Sequence, residues 1–351
     1  MGGVIFQYLG QKGAGPEFIK SIQVASNKFN LPNKYLVSSS TDYENRENLI
    51  PLNLPRNKLL LYGYSKLVKP IIPKSITENT MPVIGLMAHP FDLKVLEKLR
   101  SKNRKIGVVV HDYPPHRGEL FPSKEFTRRY IDLSDQIICL SEVVAEQIRE
   151  ITNRKNITIL KHPPFTFKLA GSAEFFNSNV NMSNDFRKPR LLIIGRLMPY
   201  TGIESFLKQW ETTDLNDIYS LRVVGRNAPI SSNKFTSIRK WLSHNELIDE
   251  IESADGIIFP YTEASQSGLV PLAILFGKVI FYTKVGGIPE QLVDYPKKFI
   301  LDSNFSVFKS QWDLLRSLSH KQSDRHALLS ASIESWKEFI LGCYRAIETK
   351  S

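Results

Sequence analysis

Asp255 to Glu290 reads DGIIFPYTEASQSGLVPLAILFGKVIFYTKVGGIPE. Its opening run, Gly256 to Phe259, is short and apolar, as in a strand buried on both faces. Small polar residues follow from Thr262 to Gly268. Leu269 to Phe276 is an apolar helical pattern with Pro271 in its first turn, where an N–H would lack an intrahelical partner. Gly277 ends that helix, and Val279 to Tyr282 is the next strand. A second glycine turn, Val285-Gly286-Gly287-Ile288-Pro289-Glu290, comes after it. Two adjacent parallel strands would place both loops at one sheet edge, where open α/β folds bind ligands. The first loop would deliver Ser265, Ser267, Gly268 and Leu269 to a helix start, whose unpaired N–H groups and roughly +0.5 charge suit a diphosphate.

Upstream, the same grammar recurs. Leu191–Ile194 reads as a strand that ends in Gly195-Arg196 and leads, through Thr201-Gly202, into an amphipathic helix from Ile203 to Trp210. Leu221–Val224 ends in Gly225-Arg226. Near the N-terminus, Val4–Leu9 is a strand followed by the glycine-rich turn Gly10 to Pro16, and a helix from Glu17. Gly13 and Gly15 would let a ligand approach the backbone there, although the spacing is not that of a dinucleotide site. Further strands are expected at Tyr35–Val37, Lys58–Tyr62, Val83–Met87, Ile106–Val110, Gln136–Leu140 and Ile157–Leu160. Helical stretches between several of them indicate a mostly parallel sheet. His111 and Asp112 follow one of these strands; His111 is either a site residue that can carry a proton near neutral pH or the holder of a structural hydrogen bond. Ser141 is a helix N-cap candidate. Two helical segments, Phe305–Ser319 and Ala327–Ile347, close the chain.

The 351 residues suffice for two α/β domains. We expect an N-terminal domain over 1–170, an irregular Ser/Asn-rich linker over 171–189, a second domain over 190–333, and a last helix over 334–351 returning to the first. No apolar run is long enough for a membrane span. The only cysteines, Cys139 and Cys343, make neither a disulfide framework nor a metal site, and both sit in apolar company. The net charge is +11. Basic residues gather in the first half at Lys66, Lys69, Lys74, Lys98, Arg100, Lys102, Arg104, Lys105, Arg128 and Arg129. That suits an anionic membrane surface or is simply a solvated face. No nucleic-acid motif accompanies it.

Gly195-Arg196, Thr201-Gly202, Gly225, Ser267-Gly268-Leu269 through Ala273, and Gly286-Gly287-Ile288-Pro289-Glu290 stand in an order and spacing that resembles a family 4 glycosyltransferase. Gly13–Gly15, the His111-Asp112 loop and Leu140-Ser141-Glu142 add to the resemblance. It implies the GT-B fold, two Rossmann-like domains facing each other across a cleft. It implies a nucleotide-diphosphate sugar held by the second domain, an acceptor held by the first, and transfer with retention, without a metal ion or other cofactor. Arg196 and His111 would be the catalytic pair. Gly13, Gly15, Arg196, Arg226, Ser265, Ser267, Gly268, Leu269 and Glu290 would bind the donor. Arg226 is a second phosphate cation or a surface residue; Glu290 contacts the nucleotide or caps its own helix. The chain departs from the pattern at Ser265 and Ala273, where many relatives carry paired glutamates, and at Thr201, where a lysine is common.

The function implied is transfer of sugar to a lipid-linked or saccharide acceptor in cell-surface polysaccharide or glycolipid synthesis. The location would be the cytoplasm, at or near the inner face of the plasma membrane. The departures motivate two alternatives: a non-catalytic relative that binds a nucleotide sugar or a partner, and a sugar-nucleotide epimerase.

Overall fold

The computed structural model describes residues 2–10, 14–41, 43, 45–54, 71–78, 80–116, 121–154, 156–166, 188–317 and 324–348. The expected strand Lys58–Tyr62, Gly13, Lys66, Lys69 and most of the expected linker lie outside them. The chain divides into two compact units, Met1–Thr166 with Ile333–Ser351, and Phe167–Ser332.

The first unit opens with β1 (Ile5–Tyr8), α1 (Ala14–Lys28), β2 (Lys34–Ser38) and β3 (Leu49–Leu52). It continues through α2 (Lys74–Thr77), β4 (Val83–Gly85), α3 (Asp92–Arg100) and β5 (Ile106–Val110). The helix α4 (Lys124–Asp132), β6 (Gln136–Cys139), α5 (Glu142–Ile151) and β7 (Ile157–Ile159) complete its sheet. All seven strands are parallel, in the order β3-β2-β1-β4-β5-β6-β7. Strands β1, β4, β5 and β6 are buried at every position, which explains their mostly apolar sequences; the buried Gln7 and Gln136 are hydrogen-bonded inside. β3 escaped the sequence reading because Pro51 argues against a strand; as an edge strand it can hold a proline. Ser141 caps α5 as expected, its hydroxyl accepting from Val144 N–H at 3.3 Å.

The second unit runs β8 (Arg190–Gly195), α6 (Ile203–Trp210), β9 (Ser220–Gly225), β10 (Thr236–Ile238) and α7 (His244–Glu252). Then come β11 (Gly256–Phe259), α8 (Leu269–Leu275), β12 (Val279–Tyr282), α9 (Ile288–Gln291) and β13 (Lys298–Ile300). Its six strands are also parallel, in the order β10-β9-β8-β11-β12-β13. β10 was not foreseen: three residues, two of them hydroxylic, carry no strand pattern. The single helix expected over Phe305–Ser319 is instead two short ones, α10 (Ser306–Ser310) and α11 (Trp312–Ser317), broken at Gln311.

The last helix, α12 (Arg325–Glu348), packs on the first unit from Ile333 onward. Trp336 Nε1 donates to the Pro164 carbonyl at 2.7 Å, and Tyr344 Oη to Asn33 Oδ1 at 2.7 Å. Both sites are buried, so each bond satisfies a donor that would otherwise be stranded away from water. Among the described residues no helix is long and apolar enough to cross a membrane. Cys139 and Cys343 are buried and unpaired with each other, and burial pushes the Cys139 thiol up to about 12 and raises Cys343 as well. Neither is a reactive thiolate at neutral pH.

The basic first-half surface is thinner than its sequence suggests. Arg104 is buried, with Nη1 donating to the Ile76 carbonyl at 2.9 Å and Nη2 to that of Met81. Arg100 pairs with Asp135, and Arg129 with Glu97 at 3.0 Å. Lys105 Nζ donates to the Ile347 carbonyl at 3.3 Å. Arg104 serves the fold, while Arg100, Lys105 and Arg129 stay exposed.

Candidate functional site

In each sheet the chain first runs outward in one direction and then restarts on the other side of its first strand. The switch points fall between β1 and β4, and between β8 and β11. Loops leaving the carboxyl ends of two such strands diverge and leave a crevice between them.

At the second switch point, β8 and β11 pair through Gly256↔Leu191 and Ile257↔Leu192. β8 ends at Gly195, whose φ is +127° and where a Cβ would lie 2.8 Å from Leu269 Cδ1. The turn carrying Arg196 and the start of α8 are therefore neighbours, as the sequence required. Arg196 is exposed, and its Nη2 donates to Tyr200 Oη at 2.9 Å. Thr201 does not substitute for a lysine: it is buried and its hydroxyl donates to the Met198 carbonyl at 2.6 Å. Arg226, past the end of β9, is exposed. So is Lys284, just beyond β12, a cation at the same sheet edge that the sequence reading passed over because it lies in no recognised motif.

The loop between β11 and α8 is tightly tied. Ser265 and Ser267 are buried, and Ala273 is fully so. The Ser267 hydroxyl accepts from Leu269 N–H at 3.3 Å and lies 3.3 Å from Tyr261 Oη. Two groups expected to face a phosphate thus already engage each other. Val270 N–H is also taken, by the Ser267 carbonyl at 3.3 Å. α8 spans only seven residues, so its dipole contributes little; the cations and the loop backbone must carry the attraction. The glycine turn after β12 locks onto this loop. Gly287 N–H donates to the Ala264 carbonyl at 3.1 Å, and Gly286 has φ +50°. Glu290 is half-buried in the single turn of α9. Its neighbour Gln291 makes the contact that the motif did not announce, a double hydrogen bond to Ser267.

At the first switch point Gly15 serves packing: a Cβ there would come 1.9 Å from the Tyr8 ring. His111 lies at the end of β5, half-buried. Its Nε2 meets the Leu86 carbonyl at 2.7 Å, and its ring packs edge-on against Phe18 with centroids 5.7 Å apart. A carbonyl only accepts, so Nε2 carries the hydrogen. Burial lowers the ring's pKa, against the opposing pull of Asp112 and the Leu86 bond. His111 is therefore a neutral imidazole with its Nδ1 lone pair available as an acceptor. The ring makes the structural hydrogen bond that was one of its two expected readings. His116 bonds to Asp112 at 3.0 Å.

The first unit also holds a buried carboxyl that the sequence reading did not single out. Asp92 accepts from Gln7 Nε2 at 2.7 Å and from His89 N–H at 2.6 Å. Burial pushes it up to about 8 despite those two bonds, and pushes the His89 imidazole down to about 4. The unfolded carboxyl would titrate near ~3.9. Between those values the folded protein keeps a proton that the unfolded chain has shed. Asp92 thus stabilises the fold fully below its unfolded pKa and loses that contribution as pH rises through 8. His89 has the opposite slope below about 6.5, so the two offset there. From about pH 6.5 to about pH 8 we expect roughly 1–2 kcal/mol of stability to be lost. Asp92→Asn should flatten that decline in urea unfolding followed by circular dichroism. An unchanged slope would show that Asp92 is ionised in the fold.

By sequence, no family model matches this chain and neither does any curated protein. By structure, likenesses are many. A glycosyltransferase from Rickettsia africae ESF-5 superposes with a TM-score of 0.64 at 12% identity, over 100% of this chain and 99% of that one. Anabaena Alr3699/HepE in complex with UDP-glucose gives 0.65 at 13%, over 98% and 99%. A UDP-forming alpha,alpha-trehalose-phosphate synthase from Burkholderia xenovorans gives 0.64 at 12%, over 100% of each chain. The fold is thus GT-B, with two Rossmann-like units, each built on its own parallel sheet.

Proposed function

We propose that this chain is a retaining glycosyltransferase that moves a sugar from a nucleoside-diphosphate sugar to a lipid-linked or saccharide acceptor. One observation carries the reading: Arg196 and the Ser265–Gly268 loop converge at the carboxyl edge of the β8/β11 switch point. Breaking a sugar–phosphate bond builds negative charge on the departing diphosphate. Fixed donors aimed at that charge are commonly the largest catalytic contribution. Arg196 is always charged and its planar fork can grip two phosphate oxygens. Arg226 and Lys284 lie along the same edge and supply further positive potential. His111 offers Nδ1 to a sugar hydroxyl. The resemblance gives the acceptor to the first unit, where Tyr8 packs against Gly10 and Gly15.

A place in cell-surface polysaccharide or glycolipid synthesis belongs to the same reading, as does a cytoplasmic location at or near the membrane's inner face. The excess of basic residues and two buried free thiols are in keeping with it. HepE, a structural likeness, was solved with UDP-glucose, which makes UDP the first nucleotide to test. The experiment is a thermal-shift screen of UDP, GDP, dTDP and their sugars. A ligand at a hundredfold excess over Kd stabilises by about 2.7 kcal/mol. We expect one nucleotide class to raise the melting temperature and the others to leave it unmoved. No shift with any of them would remove the proposed function.

A further inference from the structure

We infer that Gln291 is a positioning residue for the diphosphate, acting through the backbone of Ser267; this rests on the function proposed above. The loop from Thr262 to Gly268 has little regular structure of its own, and each residue held in place there costs roughly 1–2 kcal/mol of backbone entropy. It must be fastened from outside. One fastening is the bond from Gly287 N–H to the Ala264 carbonyl at 3.1 Å. Two more run from the Thr262 and Glu263 N–H groups to the Tyr200 carbonyl, at 2.9 and 3.2 Å, and another comes from Gln291. Its Oε1 accepts from Ser267 N–H at 2.9 Å, and its Nε2 donates to the Ser267 carbonyl at 3.0 Å. The pair is bidentate and admits one amide orientation, since N–H must meet oxygen and carbonyl must meet N–H.

The consequence is geometric. Ser267 is buried, and two residues on, Leu269 abuts the Gly195 turn that carries Arg196. Gln291 thereby sets the distance between the loop and the guanidinium. Shifts of about 1 Å in such a site can cost about a hundredfold in rate. Gln291 touches no reacting atom in this arrangement; it works by holding a peptide unit still.

Two variants separate positioning from simple stability. Gln291→Met keeps the length and removes both bonds. Gln291→Glu keeps the length and the acceptor for Ser267 N–H, but sets a carboxylate against the Ser267 carbonyl. Protonated, that side chain mimics the amide again: its O–H donates where Nε2 did. The Ser267 carbonyl that faces it disfavours the charged carboxylate and raises its pKa, while Lys298 is committed to the carbonyls of Leu292 and Val293. The probe is UDP, with Kd measured from about pH 8 down to about pH 5 on the full chain, each value divided into the wild-type value to cancel the ligand's own titration.

For Gln291→Met we expect UDP binding weakened about tenfold at every pH. Gln291→Glu should be weakened at least as much at the high end and approach wild type at the low end, a recovery that a uniform loss of stability would not produce. Binding within twofold of wild type for both variants at all pH overturns the inference and leaves the proposed function standing. If Gln291→Met fails to fold, the pH recovery of Gln291→Glu decides alone: a flat ratio overturns the inference. Wild-type protein that binds no nucleoside diphosphate removes the proposed function and this inference together.

Discussion

Arg196→Ala is expected to cut the rate of sugar release from the donor by about 10²–10³-fold, the cost of losing about 2.7–4 kcal/mol of stabilisation at the leaving group. The fold should survive, because the side chain is exposed. Nucleotide affinity should fall too, by about tenfold or more, since a hydrogen bond to a charged group is worth about 1.5–3 kcal/mol. Arg196→Lys separates charge from shape. It keeps the positive charge but loses the planar fork, and an intermediate rate is expected. Stopped or coupled assays of nucleoside-diphosphate release give the rates, and calorimetry gives the affinity. Unaltered turnover in Arg196→Ala would mean that the departing charge is met elsewhere, with Arg226 and Lys284 the first places to look.

Gly286→Ala should have the largest effect on stability of any single methyl added to this chain's ligand edge. The residue sits at φ +50°, and a Cβ there would lie 1.5 Å from the Ala264 carbonyl oxygen. Both atoms in that clash belong to or are fixed by backbone, so no side chain can swing away. Gly277→Ala is the matched control. It has φ +63°, but its Cβ would meet only Lys297 Nζ, 4.0 Å away. The control should cost about 1–2 kcal/mol for the left-handed backbone alone. Gly286→Ala should exceed it by at least about 2 kcal/mol or displace the turn, breaking the Gly287–Ala264 bond and abolishing nucleotide binding. Equal melting temperatures for the two variants would show that the two loops are not in the contact described.

How far the site could be read in advance depended on how its residues announce themselves. Arg196 and Gly268 stand at strand ends in a βα pattern, and that pattern has one common three-dimensional meaning. The pairing of β8 with β11 brings them together as the pattern required. Ser267 was legible as a loop residue near a helix start, but not as one already bonded to Leu269 N–H and adjacent to Tyr261. Gln291 and Asp92 were invisible. A glutamine in a one-turn helix and an aspartate opening another are ordinary surface choices by sequence, and only packing turns them inward. Arg104 misled in the opposite sense: one of a basic cluster by sequence, it is buried against two carbonyls.

The sequence by itself determined the two parallel α/β units, because a strand buried on both faces is mostly apolar and a crossover helix must be amphipathic. Both periods are written in the order of residues. It also determined which loops lie at the ligand edge, since strand direction in a parallel sheet leaves no choice. The tertiary structure decided which polar groups on those loops remain available to a ligand. Hydrogen-bond partners such as Gln291 for Ser267, Leu86 for His111 and Gln7 for Asp92 come from 24, 25 and 85 positions away. Nothing in the local pattern encodes a partner at that range; only the closing of the sheets brings the two halves of each bond within reach.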